Sequence, residues 1–477
     1  MNNIHHYRLL FFMGILALAL HSCVPVKEIR KERSNVPENY GKETIDSLNT
    51  AQISWKQFFA DPNLIALIDT ALVRNQELNI MTQTVALFEN QIQAKKGEYL
   101  PFVDIKGGAE IEKVGKHTRN GAVEESLHID GEKFPEPFSN YSIGLVASWE
   151  LDIWKKLRNE KKAAVLEYLS SVEGKNFMIT NLVAEIADAY YELMALDNQL
   201  EILTQNLQLQ QNALKIVKLQ KEAAKTTELA VRRFTAEVQK THSEKFEIEQ
   251  KITVMENKIN FLIGKTPGKI VRNSSVFLNI PIDSIYAGVP SQLLENRTDI
   301  KKASLELEAS KLNSKIAKAN FYPSLGISTG IGLNAFKTGL LTKTPESLVY
   351  SFAGDFIGPI INRNAIKALY KNANSKQIQA IFEYEKTILN AYIEVANELS
   401  NIQNLKKVYA FKEGQVTTLT ESITLSTRLF TSARADYLEV LLTQREALEA
   451  KIALVETKKD QLMANIHLYK FLGGGWN

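Results

Sequence analysis

The chain has 477 residues, a net charge of +3 and a single cysteine. That charge exerts no strong pull toward nucleic acid, and one cysteine excludes an internal disulfide or a cysteine-rich metal site. After the N-terminus no apolar run reaches the ~20 residues that a spanning helix needs, so a membrane crossing here has to use strands.

Residues 1–22 read as a targeting segment. Arg8 precedes an apolar stretch from Leu9 to Leu20, followed by Leu20-His21-Ser22-Cys23. This resembles a bacterial lipobox, which implies that Cys23 becomes the acylated first residue of the mature chain. Val24 behind it, by resemblance to lipoprotein sorting, favours the outer membrane. Residues 23–60 are then the lipidated N-terminal segment.

A helix is expected to start where Asp61-Pro62 places a good N-cap before a proline at the first helical position, and to run to about Glu98. Two alternating strands follow at 99–114 and 140–152. In the first, Val103, Ile105, Ala109 and Ile111 oppose Asp104, Lys106, Glu110 and Glu112; in the second, Tyr141, Ile143, Leu145, Ala147, Trp149 and Leu151 oppose Ser142, Gly144, Ser148 and Glu150. The glycine- and proline-bearing stretch between them, Gly115 to Pro137, reads as an exposed loop. A long helical hairpin is expected over 155–264. No proline interrupts the chain between Pro137 and Pro267, and Leu182, Ile186, Ala189, Leu193, Leu196, Leu200, Leu203 and Leu207 recur at 4-3 spacing, the period of a narrow coiled-coil seam. From Lys155 to Glu222 such a helix is roughly 100 Å long at 1.5 Å per residue.

The pattern then repeats. Tyr99-Leu100-Pro101-Phe102 is echoed by Phe321-Tyr322-Pro323-Ser324, Ala224-Lys225-Thr226-Thr227-Glu228-Leu229 by Ala433-Arg434-Ala435-Asp436-Tyr437-Leu438, and Gly264 by Gly473 at the same separation as Ala224 and Ala433. The first repeat covers 61–288 and the second 289–477. The second opens with a helix capped by Ser291 and ending near Asn320, has strands at 321–335 and 347–358 around an exposed loop from Phe336 to Glu346, and closes with a hairpin over 361–472. Four strands in two distant pairs neither close a barrel nor cover a core. Three copies would supply an even, closed set with no open edge.

Several phrases, in order along the chain, resemble the lipoprotein (NodT-type) branch of the TolC-type outer-membrane efflux channels. They are Trp55…Phe59-Ala60-Asp61-Pro62…Leu67-Ile68…Asn75, Ser148-Trp149-Glu150-Leu151-Asp152-Ile153-Trp154, Gly288-Val289-Pro290…Arg297-Thr298-Asp299-Ile300, and Leu472-Gly473-Gly474-Gly475-Trp476. The resemblance implies a mainly α protein with membrane β, a homotrimer whose strands form a twelve-stranded barrel continuous with a periplasmic helical tunnel. It implies docking to a periplasmic adapter and to an inner-membrane pump, commonly proton-driven, with outer-membrane lipid around the barrel. No cofactor is expected, and no nucleic-acid partner. The cargo class it implies is small molecules: drugs, toxic compounds or metal cations.

Two departures stand out. Thr298 replaces the proline usual in the family's Arg-Pro-Asp-Ile stretch, and Ala224 and Ala433 replace the glycines usual in the helix-to-helix turns. Just beyond the second turn Glu439 matches a place where the family narrows its tunnel with acids, so three-fold symmetry would gather three carboxylates into a cation-favouring ring. Ala230 stands at the equivalent place of the first repeat. Phe430, Arg434 and Asp436 are neighbouring candidates for closing contacts.

Other residues carry less. Glu150 and Asp152 sit two apart at a strand exit, where acids are simply solvated. His117, His128, His242 and His467 lack metal-ligand spacing. The run Lys155-Lys156-Leu157-Arg158…Lys161-Lys162 reads as a solvated helix start beneath the barrel. No nucleophile, metal or cofactor constellation is present, so an enzyme is not expected. The alternative to a channel is a periplasmic scaffold or adapter that uses the hairpins for assembly.

Overall fold

The computed structural model describes residues 29–34, 36–40, 49–129, 131–282, 285–361, 363–432 and 434–476. They fall into two units. One gathers residues up to Lys31, Leu87–Tyr168 and Leu305–Phe382; the other gathers Glu32–Ala86, Leu169–Ser304 and Glu383–Asn477. In chain order the helices are α1 (Trp55–Phe58), α2 (Pro62–Arg74), α3 (Gln76–Glu98), α4 (Arg119–Ser126), α5 (Lys156–Glu222), α6 (Glu228–Leu262), α7 (Leu293–Asn296), α8 (Thr298–Ala319), α9 (Asn364–Thr431) and α10 (Tyr437–Phe471). The strands are β1 (Phe102–Glu112), β2 (His128–Ile129), β3 (Glu132–Lys133), β4 (Phe138–Leu151), β5 (Ser324–Ala335) and β6 (Leu348–Ile357).

The first unit is built on the strands. The four long ones form one antiparallel sheet in the order β1-β4-β5-β6, so the expected two separate pairs are joined across the repeats through β4 and β5. Alternation along each strand becomes rows across the sheet. Ile105, Leu145, Ile331 and Tyr350 are successive partners in one apolar row, and Asp104, Val146, Gly330 and Ser351 lie in the next row, on the opposite face. Gly144 and Gly332 pair where the two middle strands approach most closely: a Cβ on either would lie 2.6 Å from a backbone oxygen of the other strand, Ile331 O or Ile143 O. The loop expected from Gly115 to Pro137 carries α4, capped by Thr118, and the small β2–β3 hairpin. Gly115 O and Val123 O accept from the Thr118 and Ser126 hydroxyls at 2.7 Å each, local bonds that short polar side chains make in place of a solvated loop.

The second unit is helical, and here three expectations change. The helix starting at Asp61 does begin as expected, with the Asp61 carboxylate accepting from Asn63 N–H at 2.8 Å. It does not run to Glu98 unbroken. Asn75 interrupts it, donating its side-chain N–H to Leu262 O at 2.9 Å and accepting from Leu78 N–H at 2.8 Å, so one amide both ends α2 and caps α3. Ser291 makes no cap: Pro290–Gln292 form a short 3-10 turn, α7 follows, and Arg297 with extended backbone separates it from α8.

The third change concerns the coiled-coil seam. Leu182, Ile186, Ala189, Leu193, Leu196, Leu203 and Leu207 are all buried, but between Leu182 and Leu196 so are Val183, Ala184, Ala187, Tyr190, Tyr191, Met194 and Ala195. There the face is broad because Trp55 of α1, Phe59 just after it and Leu64 and Ile68 of α2, with Ile270 and Phe277 beyond α6, cover sides that a two-helix seam leaves wet. Further along α5 the narrow seam returns, with Leu196 and Leu203 against Ile248 of α6 and Leu448 of α10.

Gly264 and Gly473 close the two hairpins in the same way. Both have positive φ (66° and 95°), and in both the next N–H reaches back five residues, Lys265 to Asn260 O at 2.8 Å and Gly474 to Tyr469 O at 3.0 Å. A Cβ on Gly264 would lie 2.5 Å from Arg74 O, and one on Gly473 2.7 Å from the Asn296 carbonyl carbon. Each hairpin therefore ends against the helix break of its own half, Asn75 or Arg297.

Candidate functional site

The hairpin turns lie at the other ends of α5 and α9, both within the helical unit. At the first, Ala224 takes φ 54°, its N–H donates to Lys221 O at 2.9 Å, and Lys225 N–H reaches Gln220 O at 2.8 Å. This is the same left-handed termination that glycine makes at Gly264, here with a methyl group in the conformation L residues avoid. Thr227 then caps α6, its hydroxyl accepting from Ala230 N–H at 3.4 Å. At the second turn Ala433 lies outside the described residues, but Arg434 N–H donates to Leu429 O at 2.8 Å, the matching five-residue bond.

The two turns pack together. Val217 of α5 and Ala230, Val231 and Phe234 of α6 form a buried cluster, against which Tyr437 and Leu441 of α10 lie, with Phe234 and Tyr437 ring centroids 6.4 Å apart. Phe430 is half-buried in the last turn of α9. Arg434, Asp436 and Glu439 are exposed around the second turn, and none of the three forms an ion pair among the described residues. Asp436 stands at the N-cap of α10 without accepting a capping bond through its side chain. Glu439 follows in the first turn, where a carboxylate is favoured by the helix dipole. Its repeat counterpart Ala230 is fully buried, so equivalent positions face opposite environments.

The first turn also holds charges that the motif reading passed over. Glu228 meets Lys221 at 2.6 Å and Arg232 at 2.8 Å. The Lys221 contact, with Arg232 second, holds the exposed Glu228 carboxyl below the usual carboxylate range. The i,i+4 spacing of Glu228 and Arg232 was a readable signal; the link to Lys221 across the turn was not. Cys23, the expected lipid anchor, lies outside the described residues. Among the described residues no group of three or more His, Cys, Asp or Glu is placed to hold a metal ion, and no helix is long and apolar enough to cross a membrane.

The sheet, with an apolar row on one face and a mostly polar row on the other, and the two long helical hairpins are features of a membrane-channel class of protein. The chain belongs to the outer membrane efflux protein family, whose pattern it matches over residues 67–265 and 289–474. It is 28% identical over 433 residues to the solvent efflux pump outer membrane protein SrpC of Pseudomonas putida, covering 90% of this chain and 89% of that protein. It is 26% identical over 468 residues to the cation efflux system protein CusC of Escherichia coli, covering 97% of each. The solved open state of the Neisseria gonorrhoeae MtrE outer membrane channel has the same fold, with a TM-score of 0.82 at 23% identity over 95% of this chain and 99% of that one.

Proposed function

We propose that three copies of this chain form a closed outer-membrane barrel and a periplasmic helical duct, the passive exit of a tripartite efflux pump. The observation that carries this reading is the sheet itself. Its two outer strands, β1 and β6, are exposed at every residue and each offers an unpaired edge, although the strand faces are apolar enough to lie in lipid. Unpaired strand edges are not tolerated in hydrocarbon, and β6 of one copy beside β1 of the next removes all of them while keeping the antiparallel alternation. Cys23 carries the acyl anchor, a periplasmic adapter meets the hairpin turns, and an inner-membrane pump, proton-driven, supplies the energy. The relatives named for solvent and cation efflux support small molecules or metal cations as cargo. Around the second turn Glu439 forms the narrowing ring, with Phe430, Arg434 and Asp436 completing the closing contacts.

Conductance of the purified protein in a planar bilayer, read beside its native mass, tests the proposal. Discrete current steps from a particle of three subunits are expected. A monomer that gives no current after reconstitution would overturn the shared barrel and favour the periplasmic scaffold.

A further inference from the structure

In the strand unit, the ends of β4, β5 and β6 at Leu151, Ser324 and Ile357 meet the opening residues of α5 and α9 around a cleft of about 560 Å³. Trp154 lines it, stacked on Tyr322 with ring centroids 4.6 Å apart and donating its indole N–H to Pro323 O at 2.6 Å. That bond pins the exit of β4 to the entry of β5. Ile366 and Leu369 of α9 line the same cleft, and beside it Ile360 and Ile361 are each 87% exposed. Apolar side chains this bare, continuous with strands whose rows are themselves apolar, need a covering that is not water.

Lysines without carboxylate partners gather at this level. Lys156 lines the cleft, Lys155 immediately precedes α5, Lys161 and Lys162 lie within its first two turns, and Lys367 and Lys371 stand on the first turns of α9. None of these six makes an ion pair among the described residues. Asp152 is already engaged: it accepts from Arg158 Nε at 3.0 Å and from the Leu157 and Arg158 N–H groups at 3.0 Å each. Glu160 on the same turns is tied to Lys95 at 3.1 Å, which leaves Glu150 as the remaining carboxylate of the cleft beside these lysines.

We propose that this collar is a binding site for anionic phospholipid, with an acyl chain lying against Ile360, Ile361 and the cleft and the phosphate held by Lys156 and its neighbours. The site lies where the apolar strand rows end and the cationic helices begin, the order in which a phospholipid presents chain and then headgroup. A zwitterionic headgroup brings its own ammonium toward the same lysines and is the poorer fit. The inference goes beyond the exit-duct reading but rests on the strands lying in a bilayer.

Native mass spectrometry of the full chain, released from detergent containing equal phosphatidylglycerol and phosphatidylethanolamine, tests it. The unmodified protein is expected to retain phosphatidylglycerol preferentially, and Lys156→Gln/Lys161→Gln/Lys162→Gln to retain it about tenfold less or weaker still. Lys240→Gln/Lys245→Gln, on α6 of the helical unit, is expected to change nothing. Equal retention of both lipids by the unmodified protein, or undiminished phosphatidylglycerol on the triple variant, overturns the proposal. If the triple variant instead shifts ion selectivity with lipid retention intact, the lysines face the lumen and the proposal also fails. Conductance is read on the same preparations, so loss of the channel and loss of the lipid preference are separate observations.

Discussion

Ala224 and Gly264 hold the same left-handed backbone at opposite ends of one helix pair, with φ of 54° and 66°. Their surroundings differ. Ala224 is exposed, whereas a Cβ at Gly264 would lie 2.5 Å from Arg74 O. Ala224→Gly is therefore expected to shift stability by no more than about 1 kcal/mol, the relief of φ strain being offset by a looser unfolded chain. Gly264→Ala adds a backbone collision to the strain and is expected to cost at least about 2 kcal/mol. Loss of helical circular dichroism on heating checks both, and equal melting temperatures for the two variants would count against the close approach at Arg74.

Arg297 is the node of the second helix break. Its guanidinium reaches Asp299 and Glu394 at 2.7 Å each and Phe471 O at 3.0 Å, with its side chain 6% exposed. Arg297→Met removes the countercharge from two carboxylates and a donor from a carbonyl, and is expected to destabilise by about 3–5 kcal/mol. Retention of the native melting temperature would show that the node is dispensable.

Thr298, the departure from the family's proline, has a simpler reading. It is the first residue of α8, where the N–H has no partner within the helix. Arg297 before it has φ −78° and ψ 119°, the extended conformation that a following proline requires. Thr298→Pro is expected to be neutral or to stabilise by up to about 1 kcal/mol, and a lowered melting temperature would argue against this.

The strands were legible because period-two alternation is local: the apolar residues of the four strands share one face of the sheet, in successive rows. The helix breaks were poorly legible. Asn75 and Arg297 have local partners in Leu78 and Asp299, but the contacts that fix each break, with Leu262, Glu394 and Phe471, lie far along the chain. The face between Leu182 and Leu196 is broader than its period implies, for a related reason. Period 3.5 fixes which residues face one neighbour, not how many neighbours there are, and segments from four parts of the chain converge on that stretch. At the turns the motif placed Glu439 and Ala230 as equivalents, but burial separates them because Tyr437 packs against the Phe234 cluster.

His467 of α10 and Asp188 of α5 meet at 2.9 Å and couple the two halves. Asp188 raises the His467 pKa above its ordinary value, with Glu398 of α9 adding to the effect and burial and Lys470 opposing it. A raised folded pKa means the contribution is complete below the unfolded value near 6.5 and is lost as pH rises through the folded one. The melting temperature is therefore expected to fall between pH 6 and alkaline pH by more in the unmodified protein than in His467→Gln. Since His467 is partly exposed, the difference is expected to be modest, about 1 kcal/mol or less. Identical pH profiles would show that the pair adds no proton-linked stability.

Glu439 and Ala230 provide the sharpest test of the turn as the narrowing point. Glu439 is exposed and makes no ion pair among the described residues, on the helix end where a negative charge is best tolerated, so its carboxylate is available to ions rather than committed to structure. Glu439→Gln keeps the shape and removes the charge, and is expected to reduce cation preference in planar bilayers with little change in melting temperature. Ala230→Glu is not the mirror image: Ala230 is fully buried in the Val217–Phe234 cluster, so a carboxylate there is expected to disrupt the packing of the two turns instead of adding a second ring. Reversal potentials that stay the same on Glu439→Gln would remove Glu439 from the conduction path, whatever its place in the repeat.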